Sequence, residues 1–477
     1  MDEPNTNWAL LRELKVEYQK DDKKLVDLGS CGLHILHGAF KDGVKSTKWD
    51  VDKFLRAIYN LYKDVPARRA LYTQYTGSSV FPLKFCSHRW LENVEVAQRA
   101  INVVQHMRKF VESVKKDKVE PSSNSFKEVV ASLADPLLCA KLAFFKSVAV
   151  EVEPFLKEFQ TDDPMVPFLY ATLCQTLRNI MECFMKFDQL KNITKVTADD
   201  VKDSKHYLSL NDIVLGLDTK KALRTIGDTV KSKDLLQFRT ECRQMLVSII
   251  CKMLTRSPLS YPMTKAASCF DPAMICADPN LAKRRAEKVL SILTDAGRLT
   301  GPLADRALKQ FRCIIADKTI FDQSDRTDNR VDHFWIRILE KNNDELSTVI
   351  KMVSCLSHGN ANVERGFSIN AECLFENMHD ESLEARRQVY DAVCYEGGIE
   401  QVSVTKELIH SVRNARARIM EYKERCKKES TDAEREKMLE RQRTVEVEFS
   451  EKKRKQILSD ASKEAASLEK QINQLKK

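Results

Sequence analysis

Leu356-Ser357-His358-Gly359-Asn360-Ala361-Asn362-Val363-Glu364-Arg365-Gly366-Phe367-Ser368 is the stretch on which the reading of this chain turns. Before it, Leu346, Val349, Ile350, Val353 and Leu356 recur at helical spacing, so a core-facing helix runs into a polar, glycine-containing break. A second helix then restarts, with Val363, Phe367, Ala371 and Leu374 on one face and Glu364 beside that face. An acid at the edge of an apolar stripe is costly to desolvate unless it binds an arginine or a metal ion. Glu364 is therefore the first candidate for a functional side chain.

The rest of the composition narrows the class. A chain of 477 residues has room for two or three domains and a substantial core. Only 13 glycines and 13 prolines favour long helices over an all-β architecture. No apolar run reaches the roughly 18–20 residues needed to span a bilayer, and the acidic start Met1-Asp2-Glu3-Pro4-Asn5 is unlike a secretory signal. Fourteen scattered cysteines without a CxxC pair suit free thiols in a reducing compartment. The net charge is +9, and about two thirds of it follows Thr405, leaving the body nearly neutral. Such a basic tail favours nonspecific contact with nucleic acid or acidic proteins and reads no sequence.

Along the chain, Trp8 to Tyr18 has helical periodicity. Leu25-Val26-Asp27-Leu28 leads through Gly29 into Cys31-Gly32-Leu33-His34, which reads as a strand followed by a helix. From Trp49 to about 317 helices dominate: Phe54 to Val65 up to Pro66, Val94 to Val111, Leu137 to Phe159, Met165 to Leu190 and Leu235 to Leu254. Pro154, Pro164 and Pro167 stand as breaks, and no fixed-period repeat is visible. Past Gly397-Gly398 the chain becomes a charged helix. Its Leu458, Ala461, Ala465, Leu468, Ile472 and Leu475 trace a short heptad seam that suits a coiled coil or a frayed tail equally.

Six short motifs in order resemble the core of hAT-superfamily transposases. Asp2 stands in a segment similar to the one carrying that family's second catalytic aspartate, with Glu3 where a glycine is usual. Cys31-Gly32-Leu33-His34 resembles its CxxH element, Arg89-Trp90 its Arg-Trp pair, and Ala266 to Pro272 its LDP segment. Asp332-His333-Phe334-Trp335 and Asn362 to Ser368 complete the set, the latter resembling the dimerisation region that holds the last acid of a DDE triad. The resemblance implies a mainly α fold: a large helical insertion, a partial RNase H-like α/β remnant and a C-terminal helical tail. The implied divisions are 1–45 for the remnant, 46–325 for the insertion, 326–400 for the dimerisation region and 401–477 for the tail. The family's first catalytic aspartate, early strands and N-terminal zinc finger have no counterpart here.

DDE chemistry needs three carboxylates around two Mg²⁺ ions. By resemblance Asp2 and Glu364 would be two of the three, so the catalytic and metal-binding assignments at these positions are vestigial. No cofactor is expected, except Mg²⁺ if the protein is active. The plainer reading of Glu364 is an ion pair with an arginine, and of Asp2 a terminal residue. His34 would by analogy face a scissile phosphate; Cys31, His34, Cys86 and His88 could instead hold zinc or simply pack. Trp90, beside Arg89, would either stack on an unpaired base, worth ~1–3 kcal/mol, or cap the core at the start of its helix.

These readings imply a catalytically incomplete transposase-derived protein that dimerises through Leu356, Val363, Phe367 and Leu374. Its partners would be itself, as homodimer or higher oligomer, and DNA by nonspecific contact, but no membrane. The nucleus is the expected compartment, with the cytoplasm as alternative. Two rivals stay open: a fragment of an active DDE transposase whose first aspartate lies upstream, and a helical adaptor with no link to DNA.

Overall fold

The computed structural model describes residues 5–190, 193–227, 230–317, 330–339, 344–376, 378, 380–428 and scattered positions between 435 and 465. It is mainly helical, and no strand forms among the described residues beyond one isolated bridge, Met185 to Tyr207. Two compact units partition the chain, 1–368 and 369–477, so the dividing point falls inside the stretch assigned above to one 326–400 region.

The first unit holds two apolar cores. In the larger, the Gly32–Ser46 helix lies along Ser232–Arg256. The approach is close because Gly43 has no side chain: a Cβ there would sit 2.5 Å from Ile249 Cγ1. Val94–Lys116 packs on Leu138–Phe159, two helices read from their apolar spacing, and Val51–Tyr62 packs on Asn124–Leu133, a helix that reading did not include. Pro154 does not break its helix; the segment continues through it to Phe159, a departure from its expected role. Burial of Val152, Phe155 and Leu156 around the proline supplies the packing that offsets the lost backbone hydrogen bond.

The second core brings together two of the sequence motifs. Trp335 Nε1 donates to the Phe270 carbonyl at 2.9 Å, and Phe270 and Phe311 meet the indole edge-on and tilted. Asp271 caps the Pro272–Ala277 helix by accepting from the Ala273 N–H at 2.9 Å. The Asp344–Ser354 helix buries Leu346, Val349, Ile350 and Val353 in this core, the spacing read from the sequence.

The expected strand at Leu25–Leu28 is corrected. Residues 23–29 have no regular structure: Lys24 N–H donates to the Ala296 carbonyl, and Gly29 N–H to Asp27 Oδ1. A strand needs a neighbour for its ladder, and none lies beside this segment among the described residues. Val26 and Leu28 pack on the second core instead. The partial α/β remnant is thus not seen there, whereas the expected N-terminal helix forms as Asn5–Lys20.

The second unit contains Asp380–Tyr395 and Lys406–Arg413, followed by helix over 415–428. Cys373 is its only buried residue among those described.

Candidate functional site

A cleft of about 610 Å³ opens in the first unit between the start of the Gly32–Ser46 helix, the Cys86–Trp90 segment and the first turns of Ala361–Cys373. His34, His37, His88, Arg89, Glu364 and Arg365 face it, with Leu33, Gln160 and Phe367. Three of the motifs quoted above therefore converge.

Asn93 holds the Arg89 side of the cleft in place. Fully buried just ahead of the Val94–Lys116 helix, it accepts from the Cys86 N–H at 2.7 Å. Its Nδ2 donates to the carbonyls of Cys86, Arg89 and Trp90 at 3.0–3.2 Å. An amide side chain that satisfies a turn on both strands of the loop fixes where Arg89 points. Nothing in the sequence pattern singles Asn93 out.

Glu364 is gripped from both sides. Arg89 Nη2 donates to its Oε2 at 2.5 Å, and His34 Nε2 lies 3.1 Å from its Oε1. Arg89 also reaches Glu92 at 3.1 Å. Both oxygens of the carboxylate thus face cationic or donor groups. Arg365, one residue on, pairs with Asp162, and His358 Nε2 donates to the Phe159 carbonyl at 3.1 Å. These contacts tie the 357–368 stretch to the end of the Leu138–Phe159 helix.

Cys31 lies behind His34. Burial pushes its thiol up, but hydrogen bonds from the His34 side chain and from the backbone of His34 and Asn360 bring it below its ordinary value. His37 is neutral: burial, with the charges of His34, Arg89 and His88, lowers its pKa to about 4. Its Nδ1 accepts from the Leu91 N–H at 3.2 Å, so the proton of the ring sits on Nε2.

Trp90 sits at 2% exposure, edge-on to Phe85, with Nε1 donating to the Ser87 carbonyl at 3.0 Å. The ring is part of the core at the head of its helix. Asp2 lies outside the described residues. Leu356 packs, half-buried, on the second core, whereas Val363, Phe367 and Leu374 are 54–67% exposed.

Metal ligation can be tested on the donor set. Cys86 Sγ lies 3.7 Å from His88 Nε2, and Cys31 contacts His34, but no three His, Cys, Asp or Glu side chains converge among the described residues. The Cys₂His₂ zinc reading therefore fails on geometry there. Among the described residues a two-Mg²⁺ site likewise lacks its carboxylates: Glu364 is the one acid lining the cleft there, and its oxygens already meet Arg89 and His34. What the arrangement can do is hold an anion or lock two chain segments together.

Comparison of the chain with protein-family models, with curated proteins and with solved structures finds no match.

Proposed function

We propose that the protein derives from a hAT transposase and acts through self-association, with an ion-paired remnant where that family holds its last catalytic acid. The observation that supports the reading is exposed apolar surface. On the Ala361–Cys373 helix Val363 and Phe367 are 54% and 67% exposed, and in the second unit Leu374, Phe375 and Val389 exceed half exposure. The described residues of that unit bury only Cys373, so these helices lack a core to settle on. Apolar surface of this density is a common mark of a protein interface, and an obligate one removes about 2,000 Å² or more from water. The basic tail adds nonspecific affinity for DNA, which falls as salt rises.

Size-exclusion chromatography with light scattering at micromolar protein tests this. The expected species is a dimer or higher oligomer, converted towards monomer by Val363→Asp with Phe367→Asp. A wild-type chain that runs as a strict monomer refutes the reading. Mg²⁺-dependent nicking of DNA by the wild-type chain, lost in Glu364→Ala, would replace it with the enzyme reading.

A further inference from the structure

A second cavity, of about 660 Å³, lies in the first unit and shares no residue with the cleft of His34 and Glu364. The Val94–Lys116 and Leu217–Ile226 helices both pack on Leu138–Phe159, and the space opens between them. Small side chains keep it open: Cys139 and Ala143 come from the shared helix, and Ala222 from Leu217–Ile226. Ile101, Leu133 and Ile226 add an apolar lining. The volume is that of an ordinary small-molecule site.

The charges of this cavity decide what it can hold. Lys146 pairs with Asp218 and donates to Gln98 Oε1 at 2.6 Å. Gln98 Nε2 in turn donates to Asn102 Oδ1 at 2.9 Å, which leaves the Asn102 Nδ2 as the donor end of the relay. Asp218, the one acid lining the cavity among the described residues, is thus already neutralised. Two cations line it as well, Arg108 and Lys221, and neither is ion-paired among the described residues. Asp135 does not serve Arg108, because Lys141 and the Leu137 N–H hold it at 2.8 Å. Cys139 gives Arg108 no counter-charge either, since burial pushes its thiol up and keeps it protonated.

We propose that this cavity binds a small carboxylate with an apolar body. Arg108, Lys221 and the Asn102 amide hold the acid group, and the body lies against Ile101, Ala143 and Ala222. A guanidinium offers paired N–H donors that match the two oxygens of a carboxylate. A cationic ligand would be repelled by both uncompensated side chains, and a bare inorganic anion would leave the apolar lining in water. The site does not depend on self-association or on DNA, so either reading can fail alone.

The test is calorimetric titration of the full chain with decanoate, with decanol, which has the body without the charge, and with acetate, which has the charge without the body. Decanoate is expected to bind at least about tenfold more tightly than decanol, the worth of one charge-assisted hydrogen bond, and acetate at equal concentration not to displace it. Arg108→Gln should bring decanoate down to the affinity of decanol, and Ala222→Phe, which fills the cavity, should abolish binding of both. A readout on the wild-type chain locates the ligand without any variant: decanoate should slow alkylation of Cys139, followed on its peptide by mass spectrometry, and leave the exposed Cys313 unaffected. Absence of decanoate binding, equal affinity for decanoate and decanol, displacement by acetate at equal concentration, or Cys139 alkylated at the same rate with and without the acid overturns the proposal. Decanoate binding that survives both Arg108→Gln and Ala222→Phe places the ligand elsewhere and overturns it too.

Discussion

Arg89 and Glu364 are 275 residues apart in the chain, and the guanidinium Nη2 lies 2.5 Å from the carboxylate Oε2. Their side chains are 42% and 33% accessible, so solvent screens much of the attraction. A double-mutant cycle with Arg89→Leu and Glu364→Gln, read by urea denaturation, should give a coupling of about 0.5–1 kcal/mol. Raising the salt should shrink it. The Glu364→Gln variant has a second expected effect: His34 and Arg89 lose the carboxylate they share, the one acid lining the cleft among the described residues, so the cleft becomes a stronger anion site. Retention of inorganic phosphate by the variant but not by wild type, followed by calorimetry, checks this, and a coupling near zero would show the pair to be incidental.

Asn93 is a larger effect in a smaller residue. Asn93→Ala leaves the Cys86 N–H and the carbonyls of Cys86, Arg89 and Trp90 without their partner in a buried place. Unmade buried bonds cost about 1–3 kcal/mol each, partly relieved by entering water, so a loss of about 2–4 kcal/mol is expected. The urea midpoint should fall with unchanged slope. Asn93→Asp should be no better, because a carboxylate would face three carbonyl oxygens.

How far the sequence foretold this follows from what each signal measures. Helix positions such as Leu346, Val349, Ile350 and Val353 announce themselves because burial on one face imposes a 3.6-residue period. The motifs at Cys31–His34, Arg89-Trp90 and Glu364 were visible as a set, and the fold brings them to one cleft. The strand expected at Leu25–Leu28 rested on local composition, and pairing is a non-local property that composition does not carry. Asn93 was invisible for a related reason: its role depends on four backbone groups that no pattern of side chains reveals.

Trp90 separates a packing role from a nucleic-acid role. The ring is 2% exposed, stands 5.2 Å from Phe85 and donates to Ser87. Trp90→Ala should cost about 3–5 kcal/mol through cavity formation and the orphaned carbonyl. Trp90→Phe should keep much of that stability. If Trp90 stacked on a base, the alanine variant would instead fold normally and lose affinity for single-stranded DNA, and anisotropy with a labelled oligonucleotide tells the two apart.

His37 sets a pH dependence whose sign is fixed by its burial. Its folded pKa is lowered to about 4 from the ordinary 6.5, because the ring is buried and faces His34, Arg89 and His88. Between those two values the unfolded chain binds the proton and the folded chain does not, so stability rises with pH across this window. The contribution is complete above about pH 6.5 and is lost progressively down to about pH 4, up to about 3 kcal/mol in all. His358, also lowered by burial, adds to the same trend with the same sign. His37→Gln can still accept the Leu91 N–H without titrating. In urea melts at pH 5 and pH 7, the wild-type chain should lose stability on acidification and the glutamine variant should lose distinctly less. Parallel losses in the two proteins would mean that His37 is not the group responsible.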